Sequence, residues 1–222
     1  MATDLPASFT KDIVQRTLCP FAVKATIWSF PEWRDTDSWH ANVRSMAGAL
    51  DRYVASEQRL EVDAIVGRLG NPIEPTSMTS IASNLGKLLA GLSREDRTRD
   101  FPLSDEDLMA VGWQFTYGNV RFFLSIFAAC YSPEHPRYSP NVVYIMFQPE
   151  SSFRHHRVGG PYQNARTVKR QIRQAFAQGG QGYDGELIDR KIEPPLYLLA
   201  RGPEDRSNHW WEHLGGDRAS TT

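Results

Sequence analysis

The 222-residue sequence has only two cysteines, Cys19 and Cys130. Two thiols cannot build the disulfide framework of a small secreted domain. No apolar run approaches the roughly 20 residues of a membrane-spanning helix. The opening "MATDLPASFTKD" is too polar for a secretory leader. The chain is therefore expected in the cytoplasm, with reduced thiols and no membrane partner. Neither sign of charge prevails, the formal net charge being −1. Nucleic acid calls for a clustered positive surface, so it is not expected as a partner either. No Gly-rich phosphate loop follows a strand pattern, and "VGRLGNP" matches neither nucleotide fingerprint. There is no G-x-S-x-G, C-x-x-C or H-E-x-x-H, and no internal repeat.

What is present is ordinary for one globular core. Apolar residues make up 41% and charged residues 23%, a soluble-protein balance. Residues 8–17 are expected to form a short helix capped by Ser8 or Thr10. "FAVKATIWSF" (21–30) and "LEVDAIVGRL" (60–69) read as strands, the second closed by Gly70, Asn71 and Pro72. Val43, Met46, Ala47, Leu50 and Tyr53 share one helical face; so do Ile81, Leu85, Leu88, Leu89 and Leu92 in a helix over 77–92 that Gly91 helps to end. Ser104 and Asp107 are spaced to cap a short turn. "GWQFTYG" and "VRFFLSIFAA" form a hairpin turning at Gly118-Asn119, and "NVVYIMFQP" (141–149) reads as a central strand. A helix with one basic face is expected over 162–178, a last strand in "EPPLYLLARG", and an aromatic anchor in "NHWWEHL". Helices and strands do not alternate regularly. The expected class is α+β: a single domain over 1–222 with ends frayed at about 1–7 and 215–222, and a largely antiparallel sheet carrying packed helices.

The stretch "CYSPEHPRYSP" (130–140) holds His135 between Pro133 and Pro136, with Pro140 beyond. Proline lowers the entropy of fixing such a loop, and Pro136 biases His135 toward extended backbone. Tyr131, Tyr138 and Phe127 offer aromatic walls. A fixed imidazole at the end of a core strand can be a general base, a metal ligand or a haem ligand; it can also be an ordinary loop residue. Cys19-Pro20 is compatible with a thiolate ligand of haem iron, or with a buried inert cysteine. His209 and His213, with Glu212 between, are better read as packing around Trp210-Trp211 than as a metal edge. His155-His156 make a weak chelating pair.

"CPFAVKATIWSF", the block "WQFTYGNVRFFLSIFAACYSPEHPRYSPNVVYIMFQPESSF" and the closing "NHWWEHL", in that order, resemble the YqcI/YcgG family over about residues 12–215. The block from Trp113 to Phe153 is the specific part. Several members of that family are haem-dependent N-oxygenases that hydroxylate amine or guanidine nitrogens in specialised metabolism. The resemblance implies haem b with its iron, O2 or peroxide as oxidant, an electron donor where the oxidant needs one, and a small amine or guanidine substrate, with homodimerisation left open. It implies His135 as axial iron ligand, with Cys19 as the alternative, and Arg137 and Tyr138 at a propionate. Tyr131, Trp113, Phe115, Phe122, Phe147 and Phe153 would wall the pocket, and Glu150 would face the substrate cation. A non-catalytic haem-binding or haem-sensing protein of the same fold is the alternative. A hydrolytic or isomerising enzyme with His135 as base is a third reading, for which no nucleophile stands at a supporting spacing.

Overall fold

The structure is a computed structural model that describes residues 9–17, 19, 22–98, 105–156, 192–201 and 205–214, with Thr167, Arg170, Gln171, Gln174, Ala177 and Gln178. Five strands make one sheet: β1 (Ile27–Ser29), β2 (Ala64–Leu69), β3 (Phe115–Tyr117), β4 (Val120–Phe127) and β5 (Val143–Pro149). Their spatial order is β1-β2-β5-β4-β3. Only β1 and β2 run parallel; the other pairs are antiparallel, and β5 is central as its apolar run predicts. The helices are α1 (Trp39–Ala55), α2 (Met78–Glu95) and three short pieces, α3 (Asp105–Leu108), α4 (Glu150–His155) and α5 (Pro194–Tyr197). The fold is α+β, as expected.

Both long helices start where a serine hydroxyl satisfies a free backbone amide. Ser38 Oγ accepts from Ala41 N at 3.1 Å, and Ser77 Oγ from Ser80 N at 3.2 Å. The apolar positions predicted for each helix are all buried. They cover one sheet face, where Ile65, Phe147, Leu124, Ile126 and Ile145 complete the main core. Gly118 and Asn119 adopt φ of 56° and 63° between β3 and β4. Two positive φ values give the turn whose twist suits a two-residue hairpin.

Four expectations change. The first strand spans only Ile27–Ser29, because pairing begins where β2 begins: Asp63 N donates to Thr26 O, and Asp63 Oδ2 takes Thr26 N. Residues Glu57–Glu61 form a 3₁₀ turn capped by Ser56, so the second strand starts later than expected. Gly91 does not end α2, which runs on to Glu95; it lets α1 approach, since a Cβ there would stand 2.9 Å from Val43 Cγ1. "EPPLYLLARG" is a helical turn, not a strand, because the two prolines occupy the first helical positions, where their missing amides cost nothing. The helix expected over 162–178 falls for the most part outside the described residues; the six described there are helical and exposed.

The "NHWWEHL" anchor is as expected. Trp210 is fully buried, donates Nε1–H to Pro194 O at 2.8 Å, and stacks on Tyr197 at 5.8 Å and 12°. Gly86 of α2 makes the docking possible, since a Cβ there would stand 2.3 Å from Trp210 O. Gly86→Ala is expected to lower unfolding free energy by about 1–3 kcal/mol through overpacking, and Trp210→Ala by about 3–5 kcal/mol. Urea unfolding measures both; an unchanged midpoint for Gly86→Ala would show that this contact does not hold the C-terminal turn.

Candidate functional site

The 131–140 loop is built around its histidine. His135 N donates to Ser132 O and Tyr138 N donates to His135 O. Arg137 N donates to His135 Nδ1 at 3.1 Å. Tyr131 stacks on the imidazole at 4.2 Å and 8°. Tyr131 is itself locked: its OH donates to Leu199 O at 3.1 Å and accepts from Leu199 N at 3.0 Å. Burial, and then the Arg137 charge, push the His135 pKa down to about 4, so the ring is neutral near pH 7. With Nδ1 accepting, the neutral ring carries its proton on Nε2.

Arg137 is buried, and its Nη1 donates to Leu196 O at 2.6 Å and Tyr197 O at 3.0 Å. Those bonds fasten the loop to α5. They are main-chain bonds, not the carboxylate contact expected of this arginine. Tyr138 is half-buried, with the Arg16 guanidinium 5.3 Å from its ring centroid. Arg16 Nη2 also donates to Pro133 O at 3.2 Å.

Arg16 belongs to an N-terminal arm, a π-helical turn at Thr10–Val14 followed by a turn at Gln15 and Arg16. The arm and the loop are the two lips of one cleft, lined by Asp12, Ile13, Arg16, Thr17, Pro133, His135, Pro136 and Tyr138. Cys19, half-buried and free, lies just past the lining and donates its N–H to Thr17 Oγ1 at 3.2 Å. The segments of both candidate iron ligands therefore meet at one place. Pro20 lies outside the described residues. Cys130, the other thiol, is pushed up to about 11, chiefly by burial.

Haem needs a flat slot and a ligand lone pair aimed at iron. The cleft volume is about 20 Å³, room for about one water against the roughly 300–1,000 Å³ of organic-ligand pockets. His135 Nδ1 is occupied and Nε2 holds the proton, whereas a metal-bound histidine donates its other ring N–H. As they stand, these residues do not fit haem on His135.

The expected walls divide. Phe115, Phe122 and Phe147 are fully buried in the main core, where Phe147 packs edge-on against the other two. Phe153 meets Phe123 edge-on at 6.1 Å. Trp113, partly buried, faces Tyr197 and Trp210 at 6.2 and 6.5 Å. Glu150 begins α4 directly after β5, at 44% exposure, 3.9 Å from Arg154. His135 sits beyond the other end of β5, since Phe127 pairs with Tyr144 and Ala128 bridges Tyr138. Seven residues at about 3.3 Å each put roughly 20 Å between those ends. His135 and Glu150 are not brought together.

Sequence reasoning missed two groupings. Glu193 is half-buried, and its Oε1 accepts from Gln114 Nε2 at 2.6 Å. Its Oε2 and the Nε1 of Trp113, the residue before Gln114, are buried without a hydrogen-bond partner among the described residues. Burial raises the Glu193 pKa, and the charge of Glu150 raises it further. The second grouping centres on buried Asp63, whose Oδ1 accepts from His156 Nε2 at 2.7 Å and from Ser152 Oγ at 3.0 Å. With Thr26 N on Oδ2, Asp63 ties the starts of β1 and β2 to α4. Sequence spacing carries no signal for either grouping, because the partners lie 79 and 93 residues apart.

The His135 geometry fixes a pH dependence. A folded pKa of about 4, below the ordinary 6.5, means that stability present above pH ~6.5 is lost as pH falls toward and through pH ~4. Wild type is expected to lose more unfolding free energy between pH 7 and pH 4.5 than His135→Asn, by urea unfolding at both values. Equal losses would show that His135 is not buried neutral.

No curated protein and no solved structure matches the chain. The model of the YqcI/YcgG family matches residues 18–185, which includes the His135 loop, Cys19, Glu150 and the Asp63–His156 pair. With most of its length matched, the chain belongs to the YqcI/YcgG family.

Proposed function

We propose that the chain is a haem-dependent N-oxygenase that hydroxylates an amine or guanidine nitrogen of an amino acid or related metabolite, with O2 or peroxide as oxidant. The observation that carries the substrate half is the buried Oε2 of Glu193, unpartnered among the described residues, beside Gln114 and Trp113. A buried acceptor without a partner costs free energy that a cationic donor restores. An ammonium or guanidinium would also restore the carboxylate that burial disfavours, and Trp113 supplies an aromatic surface for it. Glu150, expected in this role, is the more exposed of the two acids and adds negative charge at the rim.

The haem half rests on the family, several members of which use it, and not on the closed cleft. Glu193 and the cleft are joined through one segment: α5 begins just after Glu193, Arg137 holds its last carbonyls, and Leu199 is locked to Tyr131. A second reading, which rests on the family alone, is a haem-binding or haem-sensing protein without turnover.

Purified protein supplied with haem is expected to show a Soret band. His135→Ala abolishes or shifts the band if His135 is the ligand; if only Cys19→Ser does so, Cys19 is. A chain that stays colourless ends the haem reading. Cyanide shifting the band, together with an N-hydroxy product from an amine, supports catalysis, and an inert band supports the second reading. On the substrate side, isothermal calorimetry with arginine and agmatine should show Glu193→Gln weakening binding about tenfold or more. Unchanged affinity would remove Glu193 from the site.

A further inference from the structure

We infer that the groove beside the β3–β4 turn is a second small-molecule site, for an organic cation: an ammonium carried on a short apolar stem. β3 separates it from Gln114 and Glu193, and the length of β4 separates it from the His135 loop. The inference goes beyond the function proposed above and does not depend on haem.

The groove has a volume of about 470 Å³, within the roughly 300–1,000 Å³ of organic-ligand pockets. Three walls meet there. The last turn of α1 supplies Asp51, Val54 and Ala55; the chain leaving α2 supplies Asp96, Arg97 and Thr98; the hairpin turn supplies Gly118 and Asn119. Hydrogen bonds fix these walls to one another. Buried Asp96 accepts Thr98 N at 2.9 Å and Thr98 Oγ1 at 2.7 Å on Oδ1, and Gly118 N at 3.0 Å on Oδ2. Gly118 sits so close to α1 that a Cβ there would stand 2.8 Å from Val54 Cγ2. Tyr117 OH donates to Asp51 Oδ1 at 3.0 Å. A groove held this way is preformed, so a ligand orders little of the protein on binding.

Its charge is negative from two independent sources. Both long helices end here, α1 at Ala55 and α2 at Glu95. A helix C-terminus carries roughly half a negative charge and favours a cation. The carboxylates of Asp51 and Asp96 add to this, and Asp51 Oδ2 has no hydrogen-bond partner among the described residues. Tyr117 reports the same field. Burial first, then the bond to Asp51 and the charges of Asp51, Asp96 and Glu95, hold its hydroxyl well above the usual tyrosine range. Against this stands Arg97 in the lining, while Arg59 is tied to Val54 O at 2.6 Å. Among the described residues no three His, Cys, Asp or Glu side chains gather to hold a metal ion. An organic cation needs fewer oxygens, and Val54 and Ala55 offer its stem an apolar wall.

The test titrates 1,4-diaminobutane into the full chain at constant ionic strength, followed by backbone amide shifts in NMR spectra. The amides of Ala55, Thr98, Gly118 and Asn119 are expected to shift together and to saturate. Asp51→Asn should weaken binding about fivefold, the upper range for one exposed ion pair. Arg97→Ala should tighten it about twofold by removing the opposing charge, and Glu193→Gln should leave it unchanged. Shifts confined to the surroundings of Gln114 and Glu193 would overturn this site and leave the proposed function standing. The same shifts from sodium chloride alone would overturn it too, since they would mark an ion atmosphere. Should Asp51→Asn fail to fold for want of the Tyr117 bond, Arg97→Ala decides, and an affinity unchanged or weaker there would overturn the site.

Discussion

The buried guanidinium of Arg137 is the interaction on which the candidate site depends. A charge out of water is costly unless its donors are satisfied, and here two of them end on the carbonyls of Leu196 and Tyr197. Those carbonyls close the turn at Pro194–Tyr197, where a helical end needs donors. One side chain thus stabilises a loop and a turn about 60 residues apart in the chain. Its backbone amide fixes the His135 ring, and its charge helps keep that ring neutral. Tyr197, held by the same bonds, accepts Phe115 N and packs on Trp210. The loop, the C-terminal anchor and the edge hairpin are therefore one connected unit.

The two sheet faces divide stability unequally. Main-core residues such as Leu50, Phe122, Ile145 and Leu88 are fully buried between the sheet and two long helices. At roughly 1.5–3 kcal/mol for each large apolar side chain fully buried, that side holds the fold. The opposite cluster has few members, and two of them, Phe9 and Ile13, come from a five-residue turn and its flank. Local opening draws on regions with few buried contacts.

The sequence was legible where local period and turn chemistry coincide with what the sheet demands. Leu50 and Leu88 announce their helices because period and burial agree, and Gly118-Asn119 announces its hairpin because two positive φ values are needed there. The first strand was over-read because its limit is set by its partner: Ile27 pairs with Ala64, and Asp63 takes the amide before it. The apolar run after Pro194-Pro195 has the composition of a strand, yet the prolines start a helical turn. Of the site, the loop and its rigidity were legible, since prolines, tyrosines and the histidine lie within eleven residues of sequence. The partners were not. Nothing in the spacing of Gln114 and Glu193, or of Asp63 and His156, marks them as neighbours, and nothing near Glu150 signals that β5 separates it from His135.

The rigidity that drew attention to His135 also limits what it can do. Tyr131 covers one face of the ring, and the Arg137 amide occupies Nδ1, so the loop has settled both the orientation and the tautomer. A neutral ring held this way donates from Nε2, and a metal needs a lone pair there. Changing the tautomer requires breaking the hydrogen bond from the Arg137 amide inside a loop that Arg137 itself anchors. Iron on His135 would need the ring to surrender its Nδ1 bond and would need room that the cleft does not have. The loop that the sequence singles out thus holds His135 in a state that disfavours the ligand role the resemblance implies for it.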